Sequence, residues 1–180
     1  MTDTDLATAY LADVRARFAA VRHSAERAAA QVDERQFFAT LDPESNSIAT
    51  VMKHMAGNLR SRFTDFLVAD GEKPDRDRDR EFEVDPADRR ETIEGAWTAG
   101  WSALESALAA LAPSDLLRTV RIRGEPHTVL QALQRQLAHH AMHGGQIVLL
   151  AKHWAGASWR TLSIPRGGSA AFNAGMAKKA

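Results

Sequence analysis

The run His139-His140-Ala141-Met142-His143-Gly144-Gly145-Gln146 gathers three of the chain's seven histidines, with His139 and His143 four residues apart. On an α-helix that spacing stacks two side chains on one face, within reach of a shared ion. Neutral imidazole is a common ligand for zinc, nickel, copper or iron(II). A two-histidine helix needs at least one more ligand from elsewhere. His54, mid-helix beside the apolar Val51, is the best candidate. The plain alternative is a surface coincidence, since a lone His-x-x-x-His is a weak signal. Two features favour a site. Gln136, His139, His143, Gln146 and Leu150 fall on one stripe, so amides that could orient imidazoles flank the pair. Burying three neutral histidines without an ion would also leave polar nitrogens without partners, which is costly.

His140 points about 100° away from His139. A His140/His143 pair remains open on geometry alone, but the stripe favours His139. His23, His127 and His153 are isolated and read as surface or capping residues. Gly144-Gly145 inside a helix costs about 1 kcal/mol per glycine relative to alanine. The pair serves close helix packing, or leaves room above the ion for a ligand, or both. Asp75 to Arg80 alternates acid and base and invites a calcium-loop reading. That reading fails, because Arg80 stands where a glycine is needed and Pro86 where a glutamate is needed. A solvated, self-neutralising loop is the expectation there. No phosphate-binding fingerprint or nucleophile elbow is present.

Four helical stretches must position these residues, since apolar residues recur at three- and four-residue steps. The first runs from about Asp5 to Val32, with Leu6, Tyr10, Leu11, Val14, Phe18 and Val21 on one side. The second, about Ser47 to Ala69, carries His54 beside a stripe through Ile48, Met52, Met55, Leu59, Phe63 and Phe66. The third, about Ala87 to Leu111, carries Ile93, Trp97, Trp101, Leu104 and Leu108, and Pro113 ends it. The fourth, about Pro126 to Trp154, carries the histidine run. Leu116 to Gly124 alternates and predicts a short extended segment closed by a glycine turn. The expected fold is all-α: an antiparallel four-helix bundle, with that extended segment before the last helix and an irregular tail over 156–180. The whole of 1–180 reads as one domain.

Composition narrows the classes of function. Of the 180 residues, 23 are Lys or Arg and 23 are Asp or Glu, so the formal net charge is zero. That argues against nucleic acid or an anionic membrane as partner, since both select basic surfaces. No run approaches the roughly 18 apolar residues of a membrane span, and the N-terminus lacks signal-peptide character. A cytoplasmic protein is expected. Cysteine is absent, which excludes disulfides, thiolate ligands and a catalytic thiol.

The stretch His139-x-x-x-His143-x-Gly145-Gln146-Ile147, with an upstream helix histidine, resembles the DinB/YfiT-like superfamily, and within it an uncharacterised bacterial branch of unknown function. Supporting segments are Asn46-Ser47-Ile48-Ala49, Lys53-His54-Met55-Ala56-Gly57-Asn58, Phe63-Thr64-Asp65-Phe66-Leu67, Asp70-Gly71-Glu72-Lys73-Pro74, Ile122-Arg123-Gly124-Glu125 and Leu162-Ser163-Ile164-Pro165-Arg166-Gly167. The resemblance implies a DinB-type four-helix bundle, often dimeric, with a divalent metal, zinc or nickel for preference, held by a histidine triad. By residue-level match the ligands are His54, His139 and His143. It also implies kinship with bacillithiol transferases and mycothiol-dependent maleylpyruvate isomerases. The chain departs from the branch at His140 and Met142, where aromatic residues are expected, and at Gly144, where a larger residue is usual.

The leading expectation is therefore a metal-dependent transferase acting through a low-molecular-weight thiol on a small-molecule ligand. Asn58, one turn from His54, and Gln146 are the candidates for contact with cofactor or substrate. The rivals are a non-catalytic, metal-stabilised binding or stress-response protein and a purely structural dimer module. Trp97, Trp101, Trp154 and Trp159 exceed what a tidy core requires, which suggests a homodimer.

Overall fold

Capping chemistry sets where four of the helices begin. Thr2 accepts from the Asp5 N–H while Asp5 reaches back to the Thr2 N–H, opening α1 (Asp3–Ala29). Asp33 and Gln36 do the same for the short α2 (Glu34–Phe38). Ser47 accepts from the Thr50 N–H and opens α3 (Ile48–Phe63). α4 (Arg90–Ala110) follows a long irregular segment that contains one 3-10 turn, Asp79–Phe82. Thr128 and Gln131 form a third reciprocal cap at the start of α5 (Val129–Ala155), and Gly156, at φ +52°, ends it. α6 (Ser169–Ala177) closes the chain. The computed structural model describes residues 2–177.

Among these residues the protein is mostly helical, with six α-helices and one two-stranded antiparallel sheet. β1 (Thr119–Ile122) and β2 (Glu125–Thr128) pair with Ile122 opposite Glu125. The two residues between them, Arg123 and Gly124, both take positive φ, 56° and 78°, the geometry of a tight hairpin turn matched to strand twist. Val120 and Ile122 turn inward and are buried. The alternating segment expected before the last helix is thus a complete hairpin.

Apolar stripes hold the long helices together. α3 packs along α4 and α1 along α5, while α3 also meets α5 and α1 meets α4. At Gly100 a side chain would collide with the Ala56 carbonyl and Leu59, so α3 and α4 approach closely where glycine permits it. Phe18 of α1 meets Trp101 of α4 and Phe63 of α3 edge-on, with ring centroids 6.4 and 6.3 Å apart. Trp97 and Trp101 are buried within one chain, so neither requires a second copy to cover it. Each large apolar side chain fully buried in this way contributes about 1.5–3 kcal/mol.

Several boundaries differ from the sequence expectation: α4 begins at Arg90 rather than near Ala87, and α5 at Val129 rather than near Pro126, which lies in β2. α3 stops at Phe63, because Asp65 takes φ +52° and the chain turns. Phe66 remains buried from outside the helix. The first stretch ends at Ala29, and Gln31 and Val32 lie in the turn before α2. The tail is not wholly irregular: it begins with a 3-10 turn at Gly156–Ser158 and ends in α6. Ser-Ala-Ala-Phe-Asn-Ala is rich in alanine, a strong helix former, but the segment is exposed from Ser169 to Met176, and Phe172 and Met176 alone are too short an apolar pattern to mark a helix.

Candidate functional site

His54 projects from α3, and His139 and His143 project from successive turns of α5. One ring nitrogen from each lies within 4.8 Å of the others. His54 Nε2 and His139 Nε2 stand 3.3 Å apart. Two nitrogens each about 2.0 Å from a tetrahedral ion would be separated by about 3.3 Å. Among the described residues no other histidine, cysteine or carboxylate joins the group.

The outer nitrogens decide which atoms face inward. His54 Nδ1 lies 2.9 Å from Glu81 Oε2. A carboxylate accepts, so Nδ1 carries the proton and Nε2 presents its lone pair to the cluster. His143 Nδ1 lies 2.7 Å from Gln146 Oε1, which orients that ring in the same way. Burial, together with the charges of His143, His54, Arg62 and Arg76, pushes His139 down to about 3. Burial also lowers His143, against the hydrogen bond it donates to Gln146. Both rings are therefore neutral near pH 7, the form that ligates metal. Inward-facing imidazole lone pairs repel one another, and a cation complements them. The donor set suits a divalent metal of borderline softness.

Glu81 comes from the 3-10 turn between α3 and α4. Burial raises its carboxyl, but hydrogen bonds and charge from Arg76 and His54 outweigh this and hold it below the usual glutamate range. Arg76 grips it in bidentate fashion, Nε to Oε1 and Nη2 to Oε2, each at 2.8 Å. Gly57, one turn after His54, makes room: a Cβ there would overlap the Glu81 carboxylate. The Arg76 side chain is only 2 % exposed, so the Asp75–Arg80 segment is not the purely solvated loop its charge alternation suggests. Sequence reasoning missed Glu81 and Arg76, and a glycine inside a helix one turn from a candidate ligand was the available clue.

The segment is anchored at its start as well. The Asp70 carboxylate accepts from the backbone N–H groups of Glu72 (2.7 Å), Arg123 (2.8 Å) and Gly124 (2.7 Å), and the Gly71 N–H donates to the Arg121 carbonyl. The hairpin turn thereby holds the strap that carries Glu81.

The other predicted residues fall as follows. Gln146 orients His143. Asn58 is buried in a cavity beside His54 and His139, and its Oδ1 has no partner. His140 is completely buried outside the cluster, against Phe18 and Trp101, with neither ring nitrogen hydrogen-bonded. Gly144 is buried and packs against Val21, while Gly145 is exposed, with nothing within 4 Å of a side chain there, so Gly144 serves packing. His23 and His153 are exposed, and His127 is half-buried in β2.

Residues 5–168 match the family described as "Protein of unknown function (DUF1572)", and the chain belongs to it. No match was found among curated proteins or among solved structures. No helix among the described residues is long and apolar enough to cross a membrane.

Proposed function

We propose that this member of the family is a DinB-like four-helix-bundle protein that binds one divalent metal through His54, His139 and His143. Zinc and nickel suit the donors best. The metal would serve transfer of a low-molecular-weight thiol to an electrophilic small molecule. The observation that carries this reading is the convergence of three imidazoles with no fourth histidine, cysteine or carboxylate beside them among the described residues, an arrangement with an open position. The pairing of α1 with α5 and of α3 with α4 supports the bundle.

When bound, the metal supplies a Lewis acid that lowers the pKa of a thiol at its open position. The chain's own residues do the rest. Glu81 and Gln146 hold two rings in the ligating tautomer, and burial keeps His139 and His143 unprotonated. With no cysteine in the chain, the sulfur comes from a diffusible cofactor. The thiol loses its proton, forms a sulfur–carbon bond, and the electrophile releases its leaving group. The cytoplasm, where such thiols stay reduced, is the setting we assign. A two-fold dimer belongs to the same reading, and the exposed Leu6 of α1 and Leu117 (57 % and 79 %), which line one surface pocket, offer it apolar surface.

The test is conjugation of glutathione, mycothiol or bacillithiol to monochlorobimane, which releases chloride, by protein of measured metal content. Metal-loaded protein should accelerate the reaction and stripped protein should not. Metal-loaded protein that neither binds nor accelerates any of the three thiols overturns the transferase reading in favour of a non-catalytic metal-binding protein. Light scattering that returns a monomer mass at tens of micromolar would exclude the dimer.

A further inference from the structure

Against the histidine cluster lies a cavity of about 180 Å³ that His54 and His139 help to line. At about 30 Å³ per water it has room for roughly six waters. That suits one acid group and a few attached atoms rather than a drug-sized ligand. Its border is strongly basic: Arg62, Arg76, Arg78, Arg123 and Arg135 all contribute. Two carboxylates answer them. Glu72 pairs with Arg62, Arg123 and Arg76, and Glu81 pairs with Arg76. Five guanidiniums against two carboxylates leave three positive charges around one small cavity. Arg78 and Arg135 have no carboxylate partner among the described residues, although Arg78 lies over the Phe82 ring.

A second, independent observation points to the same place. Arg62, Asn58 and Gln136 are 5 %, 5 % and 3 % exposed, and all three line this cavity. Arg62 Nε, Asn58 Oδ1 and Gln136 Oε1 are buried with no hydrogen-bond partner. Buried polar atoms are normally paired, so each orphan marks an unfilled contact. Arg62 Nε can only donate, and either amide can turn its NH₂ group toward an acceptor. The orphaned Arg62 donor, amides that offer NH₂ groups in either orientation, and the excess positive charge together select an oxyanion.

We propose that this cavity binds the carboxylate or phosphate group of a small ligand whose other end reaches the histidine cluster. The inference deepens the proposed function and rests on it only in giving the ligand's far end a reactive partner. The anion pocket itself needs neither metal nor thiol.

Isothermal titration of the full chain near neutral pH tests it, with inorganic phosphate and malonate as probes and ionic strength held constant with chloride. Both metal-stripped and zinc-loaded protein are titrated. The stripped protein should bind at least one probe at millimolar concentrations, and the preferred probe tells a phosphorylated ligand from a carboxylic acid. Arg135→Gln combined with Arg78→Gln should weaken binding about tenfold or more. Both side chains are exposed, so the melting temperature should hold. No heat from either probe overturns the proposal. So does binding seen only with zinc and indifferent to the arginine variants, because the metal would then be capturing the anion. Neither result depends on thiol transfer, so this proposal and the transferase reading can fail separately.

Discussion

Two faces of α5 carry neighbouring histidines and treat them in opposite ways. On one face His139 and His143 meet His54 among arginines, glutamates and amides. On the other His140 is wedged between Phe18 and Trp101, fully buried and without a hydrogen bond, next to the Gly144–Val21 contact. Residue type is the same, and position along the chain differs by a single residue. What differs is the element each face meets. The polar face is completed by a strap and a hairpin that bring carboxylates and guanidiniums, whereas the apolar face meets only helices. A histidine's role here follows from its neighbours across the fold.

The largest expected effect would break this contrast outright. His139→Ala should abolish metal binding, while His140→Ala should retain it, as elemental analysis of untagged protein would show. A metal that binds only the folded state, at ~100 times its dissociation constant, stabilises by about 2.7 kcal/mol. In a chain of this size its loss lowers the melting temperature by roughly 5–10 °C. His140→Ala should destabilise too, by a cavity left in the core, but without metal loss. Equal metal content in the two variants refutes the ligand assignment.

A smaller effect sharpens the polar face. Glu81→Gln removes the charge that fixes the His54 tautomer and should weaken metal affinity about 10–100-fold, read by competition with a chelating dye. Gly57→Ala should act in the same direction by displacing the Glu81 carboxylate, which Arg76 and His54 leave little freedom to move. Unchanged affinity in both variants would mean that Glu81 serves structure alone.

The smallest effect concerns acid. Hydrogen bonds from the backbone N–H groups of Glu72, Gly124 and Arg123 hold the Asp70 carboxyl below its ordinary value. A group depressed in the folded state contributes stability that is present above about pH 4 and lost as pH falls through its folded value. Asp70→Asn should therefore be less stable than the parent near neutrality, and the gap should close as pH falls below the ordinary aspartate range. Urea melts across that range measure it. A gap that stays constant with pH would show that the clamp is not electrostatic.

Much of the helical scaffold was legible in the sequence. The stripes through Ile48, Met52, Met55 and Leu59 and through Ile93, Trp97, Trp101 and Leu104 are buried as their spacing predicts. Period alone could not show where α3 ends, since Phe66 keeps the helical spacing after the backbone has turned at Asp65. It could not show α2, which is only five residues long, or α6, which buries nothing to set a pattern. The triad was legible in part. Spacing on α5 pairs His139 with His143, but only resemblance and apolar context singled out His54.

By itself, then, the sequence determined the chain's helical character, the two histidines sharing a face of α5, and the lack of any thiolate ligand, because these depend on residue type and local period. The tertiary structure alone decided that Glu81, 27 positions after His54, orients it, that Arg76 is buried rather than solvated, and that five arginines crowd one small cavity. Those facts arise where a strap, a hairpin and two helices converge, and contacts between residues so far apart in the chain leave no periodic trace in it.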